Sequence, residues 1–194
     1  MSTFEIKFGG LGGQGVILSA MVTGRAAAIH DGKHATLTQA FGPEARGSSC
    51  SAQVIVSTER ILYPYVHHPD VLIAMSQDAY SRFAPEVREG GIVLIDQDLV
   101  KPGAPSAGRR VYSIPATRIA EELGRRMVLN IVMTGFFTAI VGAVDVEAMR
   151  KALRESVPKG TEDLNLKAFE RGYEWGKKAL EQEKKLAAAP TVAS

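Results

Sequence analysis

Cysteine is almost missing from this sequence: Cys50 is the one thiol in 194 residues. An internal disulfide is therefore excluded, and the chain falls far short of the thiolates that an iron–sulfur cluster takes. A cytoplasmic setting is the expectation that follows. Excess charge is lacking too. Lys and Arg total 23 against 21 for Asp and Glu, a formal net charge of +2, so nothing drives the chain electrostatically onto nucleic acid or an anionic membrane. The opening MSTFEIKFGG has no basic region followed by an apolar stretch and a small-residue cleavage site, so no secretory leader is expected. Long apolar runs are scarce. Met127 to Val144 alone is uncharged over a length that touches the lower limit for a membrane span, and Asn130, Thr134, Gly135, Thr138 and Gly142 interrupt it. The expectation here is a helix buried in a core or a subunit contact, not a membrane span.

What is present suits an α/β domain, placed at residues 1–182 as a single unit, with 183–194 expected to be a fraying helix end and disordered tail. Phe4 to Phe8 reads as a strand and Gln14 to His30 as a helix. His34 to Phe41, Ala52 to Ser57, Val71 to Met75, Gly91 to Asp96 and Arg110 to Ile114 read as further strands, with a polar-faced helix around Asp78 to Arg88. Pro115 suits the first position of a helix reaching about Arg126. Beyond the apolar run, Val146, Met149, Leu153 and Val157 mark one helical face, and Leu166, Phe169, Tyr173 and Leu180 another. This alternation predicts a three-layer, Rossmann-like fold: a mostly parallel sheet flanked by helices, with a helical C-terminal part. Ligands or partners meet such sheets at the carboxyl ends of the strands.

One of those ends carries KFGGLGGQGVILSA, in which Gly10, Gly12 and Gly15 form a literal G-x-G-x-x-G between a strand and a helix. A dinucleotide site also needs an acid at the end of the second strand, to hold the ribose hydroxyls. That strand ends in Thr38, Gln39, Ala40 and Phe41, and Asp31 comes too early. Val16 and Ile17 stand where a phosphate-binding Lys-Ser/Thr pair would follow Gly15, so the loop is no Walker motif either. Three readings stay open: a tight strand-to-helix turn, a nucleotide site, and a loop presented to a partner, with Gln14 able to hydrogen-bond a ligand or a neighbouring chain.

TQAFGPEARGSSCSAQ, residues 38–53, is the second unusual segment. Its turn is expected beside the glycine loop, so that the two form one surface. Arg46 is suited to bidentate contact with a carboxylate or phosphate, and Glu44 beside it to a local ion pair. Cys50 has no base nearby and reads as a small buried residue. His67 and His68 are adjacent and would point apart on a strand, with no third ligand evident. Asp96 and Asp98 have the spacing of an acid/base pair, though turn formation before Pro102 is the expected role.

With both loops in view, the chain resembles the gamma subunit, or the equivalent fused domain, of 2-oxoacid:ferredoxin oxidoreductases. The resemblance rests on GGLGGQGV at 9–16 and TQAFGPEARGSSCSAQVIVS at 38–57, supported by YPYV at 63–66, IDQDLV at 95–100 and the segment from Asn130 to Gly135. It spans about residues 3–180. The GPEARG form is closest to the 2-oxoglutarate branch. Other branches act on pyruvate, branched-chain or aromatic 2-oxoacids such as phenylglyoxylate and indolepyruvate, and the indolepyruvate oxidoreductase beta subunit shares the loop pattern.

The resemblance implies oxidative decarboxylation of a 2-oxoacid to its acyl-CoA by a hetero-oligomeric complex. Thiamine diphosphate and Mg2+ would sit on alpha and beta subunits, and [4Fe-4S] clusters on a ferredoxin-like delta subunit or domain that passes electrons to ferredoxin. This chain would bind no cofactor or metal by itself, supply no catalytic residue and be inactive alone. Its two loops, carrying Gly10, Gly12, Gly13, Gln14 and Gly15 on one side and Pro43, Glu44, Arg46 and Gly47 on the other, would face partner subunits or coenzyme A. A stand-alone NAD(P)- or nucleotide-binding protein is the alternative.

Overall fold

The computed structural model describes residues 3–42, 47–103 and 108–188. Its centre is a six-stranded sheet in the order β2-β3-β1-β4-β5-β6. The strands are β1 (Thr3–Leu11), β2 (His34–Phe41), β3 (Ser49–Ser57), β4 (Val71–Ala74), β5 (Ile92–Asp96) and β6 (Arg110–Ile114). The three pairings from β1 through β4 and β5 to β6 are parallel, as expected for strands joined by helical crossovers. β3 runs antiparallel to both β1 and β2. The reason is local: too few residues separate β2 from β3 for a crossover, so the pair closes as a hairpin. β2 still points the same way as β1 but lies two strands away from it.

Alternation along the strands decides which face is covered. Ile6 and Phe8 of β1, with Ala52, Val54 and Val56 of β3, belong to the main core beneath the helices. Those helices are α1 (Val16–Arg25), α3 (Ala116–Glu122), α4 (Leu129–Val141), α5 (Val146–Ser156) and α6 (Glu162–Ala188). α1 continues as a π-helical turn over Ala26–His30. The opposite face holds α2 (Gln77–Phe83) and a 3-10 turn, Ala84–Glu86, where one helix to Arg88 was expected. Pro85, which has no N–H to donate, sits in that turn. α2 packs on a smaller cluster of Leu72, Ala74, Val93 and Ile95.

The apolar run at 127–144 becomes the inner helix of the molecule. Eleven residues of α4 are buried, and Phe137 meets the ring of Phe8 edge-on at 5.9 Å. Its hydroxyls are satisfied from within: those of Thr134 and Thr138 donate to the carbonyls of Asn130 and Thr134, each at 2.8 Å. Gly142, at φ 64°, ends it. Among the described residues, no helix is long and apolar enough to cross a membrane.

α6 crosses α4 backbone to backbone. A methyl group on Gly172 would lie 1.9 Å from the Val132 carbonyl oxygen, and one on Gly135 would lie 2.0 Å from that of Phe169. α3 ends at Glu122, short of the expected Arg126, as Leu123 leaves helical geometry and Gly124 turns at φ 83°. α6 runs through Ala188, past the expected tail boundary, and the Tyr112 hydroxyl donates to Glu183 on it at 2.7 Å. Residues 189–194 lie outside the described residues.

Candidate functional site

The glycine loop sits where β1 turns into α1. β1 extends through Gly9 and Gly10 to Leu11, beyond its expected end at Phe8, because both glycines are paired in the ladder to β3. Gly13 and Gly15 take positive φ, 96° and 76°, which is the tight-turn role expected of them. Gln14 closes the turn from inside. Its side-chain oxygen accepts from the Leu11 N–H at 2.6 Å, and its amide donates to the Met75 carbonyl at 2.8 Å. Asn130, buried at the start of α4, donates to the Gly15 carbonyl at 3.1 Å.

These contacts pack closely against Gly10 and Gly15. A methyl on Gly10 would meet the Gln14 oxygen at 2.7 Å, and one on Gly15 would meet Asn130 at 2.4 Å. Gly13 faces open space. The β3 insertion removes the other half of a dinucleotide site. It puts the end of β2 about 10 Å from β1 instead of one strand away, so an acid there could not share a nucleotide with the loop. Gln14→Ala should cost roughly 1–3 kcal/mol by stranding the Leu11 N–H and the Met75 carbonyl. The thermal unfolding midpoint should drop by roughly 2–12 °C, and an unchanged midpoint would show that the clamp is dispensable.

The second loop is stitched to the first. The Gly12 N–H donates to Ser48 O at 2.8 Å, the Gly47 N–H to Gly12 O at 3.3 Å, and the Gly42 N–H to Ser49 O at 2.8 Å. The turn of the hairpin therefore lies beside the glycine loop, by way of an antiparallel strand. Pro43, Glu44 and Arg46 lie outside the described residues. On the other flank, Gly13 and Gln14 border a depression of about 290 Å³ with Leu99, Arg126, Met127 and Leu129. Met127 is 79% exposed there.

The remaining candidates resolve into structure. Asp96 is fully buried and accepts from the Thr117 N–H at 3.0 Å, the Thr117 hydroxyl at 2.6 Å and the Asp98 N–H at 3.0 Å. Asp98 pairs with Arg118 at 3.0 Å. The two carboxylates thus build a turn and hold the start of α3, the role expected over acid/base chemistry. His67 stacks on Tyr63, while His68 turns to the Glu86 carbonyl. No group of three metal-ligating side chains occurs among the described residues. Cys50 is buried, and burial pushes its thiol pKa up, away from a reactive thiolate.

Asn130 was not singled out from sequence as a partner of the glycine loop. Its signal was available: a carboxamide inside an apolar run must find a hydrogen-bond partner when buried. Met127 gave no such signal, since only the fold turns it outward.

Comparison with known proteins places these features in context. The family model described as pyruvate ferredoxin/flavodoxin oxidoreductase matches residues 5–175. The 2-oxoglutarate synthase subunit KorC of Methanocaldococcus jannaschii is 48% identical over 175 residues, covering 89% of this chain and 94% of that protein. The ketoisovalerate oxidoreductase subunit VorA of Methanothermobacter marburgensis is 39% identical over 92% of this chain but only 38% of its own length, so the same unit also occurs inside a longer polypeptide. Among solved structures, the gamma subunit of keto/oxoacid ferredoxin oxidoreductase from Geobacter sulfurreducens matches with a TM-score of 0.79 and 37% identity. It covers 89% of this chain and 98% of that one.

Proposed function

Because this chain belongs to the pyruvate ferredoxin/flavodoxin oxidoreductase family, we propose that it is the gamma-type subunit of a thiamine diphosphate-dependent complex. That complex decarboxylates 2-oxoglutarate oxidatively to its acyl-CoA and passes the electrons to ferredoxin. The likeness along nearly the whole chain to a 2-oxoglutarate synthase subunit carries this reading. Thiamine diphosphate, Mg2+ and [4Fe-4S] clusters belong to the alpha, beta and ferredoxin-like delta partners. One cysteine cannot ligate a cluster here.

The role of this chain is to present the paired loops. Inside the loop, Gln14 and Asn130 hold the glycine turn rigid, which lowers the ordering cost of docking. Outside it, Gly13 and Met127 offer an open backbone and an apolar anchor of the kind enriched at interface cores. Arg46, on the adjoining loop, supplies a fork suited to a carboxylate of a partner subunit or a phosphate of coenzyme A.

Co-expression with the partner subunits tests this. The assembled complex should reduce ferredoxin with 2-oxoglutarate and coenzyme A, and do so better than with pyruvate or a branched-chain acid. Arg46→Ala should weaken assembly or raise the coenzyme A requirement. Failure of the chain to assemble would sink the subunit reading, whereas preference for pyruvate would sink only the substrate. Unchanged assembly and coenzyme A dependence in Arg46→Ala would remove the loop from the proposal.

A further inference from the structure

The sheet face opposite the main helices carries a buried cation that the loops do not use. On β1, Lys7 points away from Ile6 and Phe8 to this face, and its side chain is only 7% exposed. An ammonium has three hydrogens to place, and burying it is costly unless they find acceptors. Among the described residues, Lys7 has one ion-pair partner, Glu86, at 2.5 Å, and lies 4.0 Å from the centre of the Phe83 ring. Two donors are left over.

Those donors border a cavity of about 310 Å³, lined by Lys7, Ser49, Ser51, Gln53, Arg82 and Glu86 among others. This volume is at the small end of the range for ligand pockets. Arg82 sits 5.2 Å from the same Phe83 ring. Among the described residues, the charged members of the lining are two cations and one carboxylate, an excess of one positive charge. Gln53 spends its oxygen on the Val66 N–H and the Thr38 hydroxyl, leaving its amide hydrogens for the cavity. Serine hydroxyls complete a lining rich in donors.

We infer that this cavity binds a small anionic ligand, its carboxylate or phosphate oxygens taken by Lys7 and Arg82 with Gln53 and the Ser49 and Ser51 hydroxyls around them. Glu86 is the built-in competitor. It is 40% exposed at its side chain and ends a three-residue 3-10 turn, so it can yield Lys7 to an incoming oxyanion. This site is on the other face of the sheet from α1, and its rim reaches Gly42 and Ser49 at the base of the second loop.

The test is a titration of the full-length chain with inorganic phosphate and, separately, with succinate, followed by amide chemical shifts in NMR at constant ionic strength. Saturable shifts confined to Ser49, Ser51, Gln53 and Phe83 are expected for at least one probe, and which probe saturates identifies a phosphate or a carboxylate ligand. Arg82→Gln should weaken binding at least threefold and Lys7→Met should abolish it. Glu86→Gln should tighten it at least threefold, an effect that a purely structural Lys7–Glu86 tie does not predict. Should Lys7→Met fail to fold, the two surface variants decide. Absence of saturation with both probes in wild type and Glu86→Gln, or equal shifts with chloride, overturns the site.

Discussion

Replacing Gly172 with alanine should severely destabilise this protein. The new Cβ would sit 1.9 Å from the Val132 carbonyl oxygen and 2.8 Å from its carbon. Neither atom is the end of a flexible side chain, so relief requires α6 and α4 to separate along their crossing. Overpacking a core usually costs about 1–3 kcal/mol when side chains can adjust. Here the backbone must move, and the expected loss is about 3 kcal/mol or more, with a fall in the unfolding midpoint of roughly 6–12 °C. Gly135→Ala, facing the Phe169 carbonyl oxygen at 2.0 Å, should behave alike.

Gly24 supplies the contrast, as a methyl there would meet only ordinary contacts at 3.9 and 4.0 Å. Gly24→Ala lies within α1 and should raise stability by up to about 1 kcal/mol through helix propensity. Urea or thermal unfolding of the three variants separates the cases; equal effects at Gly24 and Gly172 would refute the close crossing. The consequence reaches the loops. Asn130, in the first turn of the helix that Gly172 packs against, also holds Gly15 at 3.1 Å, so a shifted α4 loosens the glycine loop.

This crossing also shows what the sequence could convey. Burial of α4 followed from its uncharged run, and a mostly parallel sheet followed from alternating strands and helices, because both depend on local periodicity. Which way β3 runs does not depend on periodicity. It follows from the short link between β2 and β3, and it is what separates the end of β2 from the glycine loop. The missing acid after β2 argues against a dinucleotide from the sequence alone. The structure adds that Gln14 and Asn130 pack beside Gly10 and Gly15, so these two glycines serve a tight turn. Lys7 stayed hidden for a related reason: one Lys in a strand reads as a solvent-facing residue until α2 covers it.

Asp96→Ala should be the other severe change, and its pH dependence tests why. The side chain is fully buried and satisfies the Thr117 N–H, the Thr117 hydroxyl and the Asp98 N–H. Truncation strands all three donors, at about 1–3 kcal/mol for each that stays buried, so a loss of about 3 kcal/mol or more is expected. Asp96→Asn keeps one acceptor oxygen and should lose less. Burial raises the folded-state pKa of Asp96 above its usual 3.8, an effect that the hydrogen bonds from Thr117 and Asp98 only partly offset. The folded protein therefore holds this proton more tightly than the unfolded chain does. The stability that Asp96 contributes is greatest below pH 3.8 and declines as pH rises through the raised folded value, then levels off. Asparagine does not titrate, and the other carboxylates cancel in the comparison. The advantage of wild type over Asp96→Asn should shrink as urea unfolding is repeated from about pH 3.5 towards neutrality. An advantage that grows instead would mean that the three donors outweigh desolvation and that the carboxylate is held ionised in the fold.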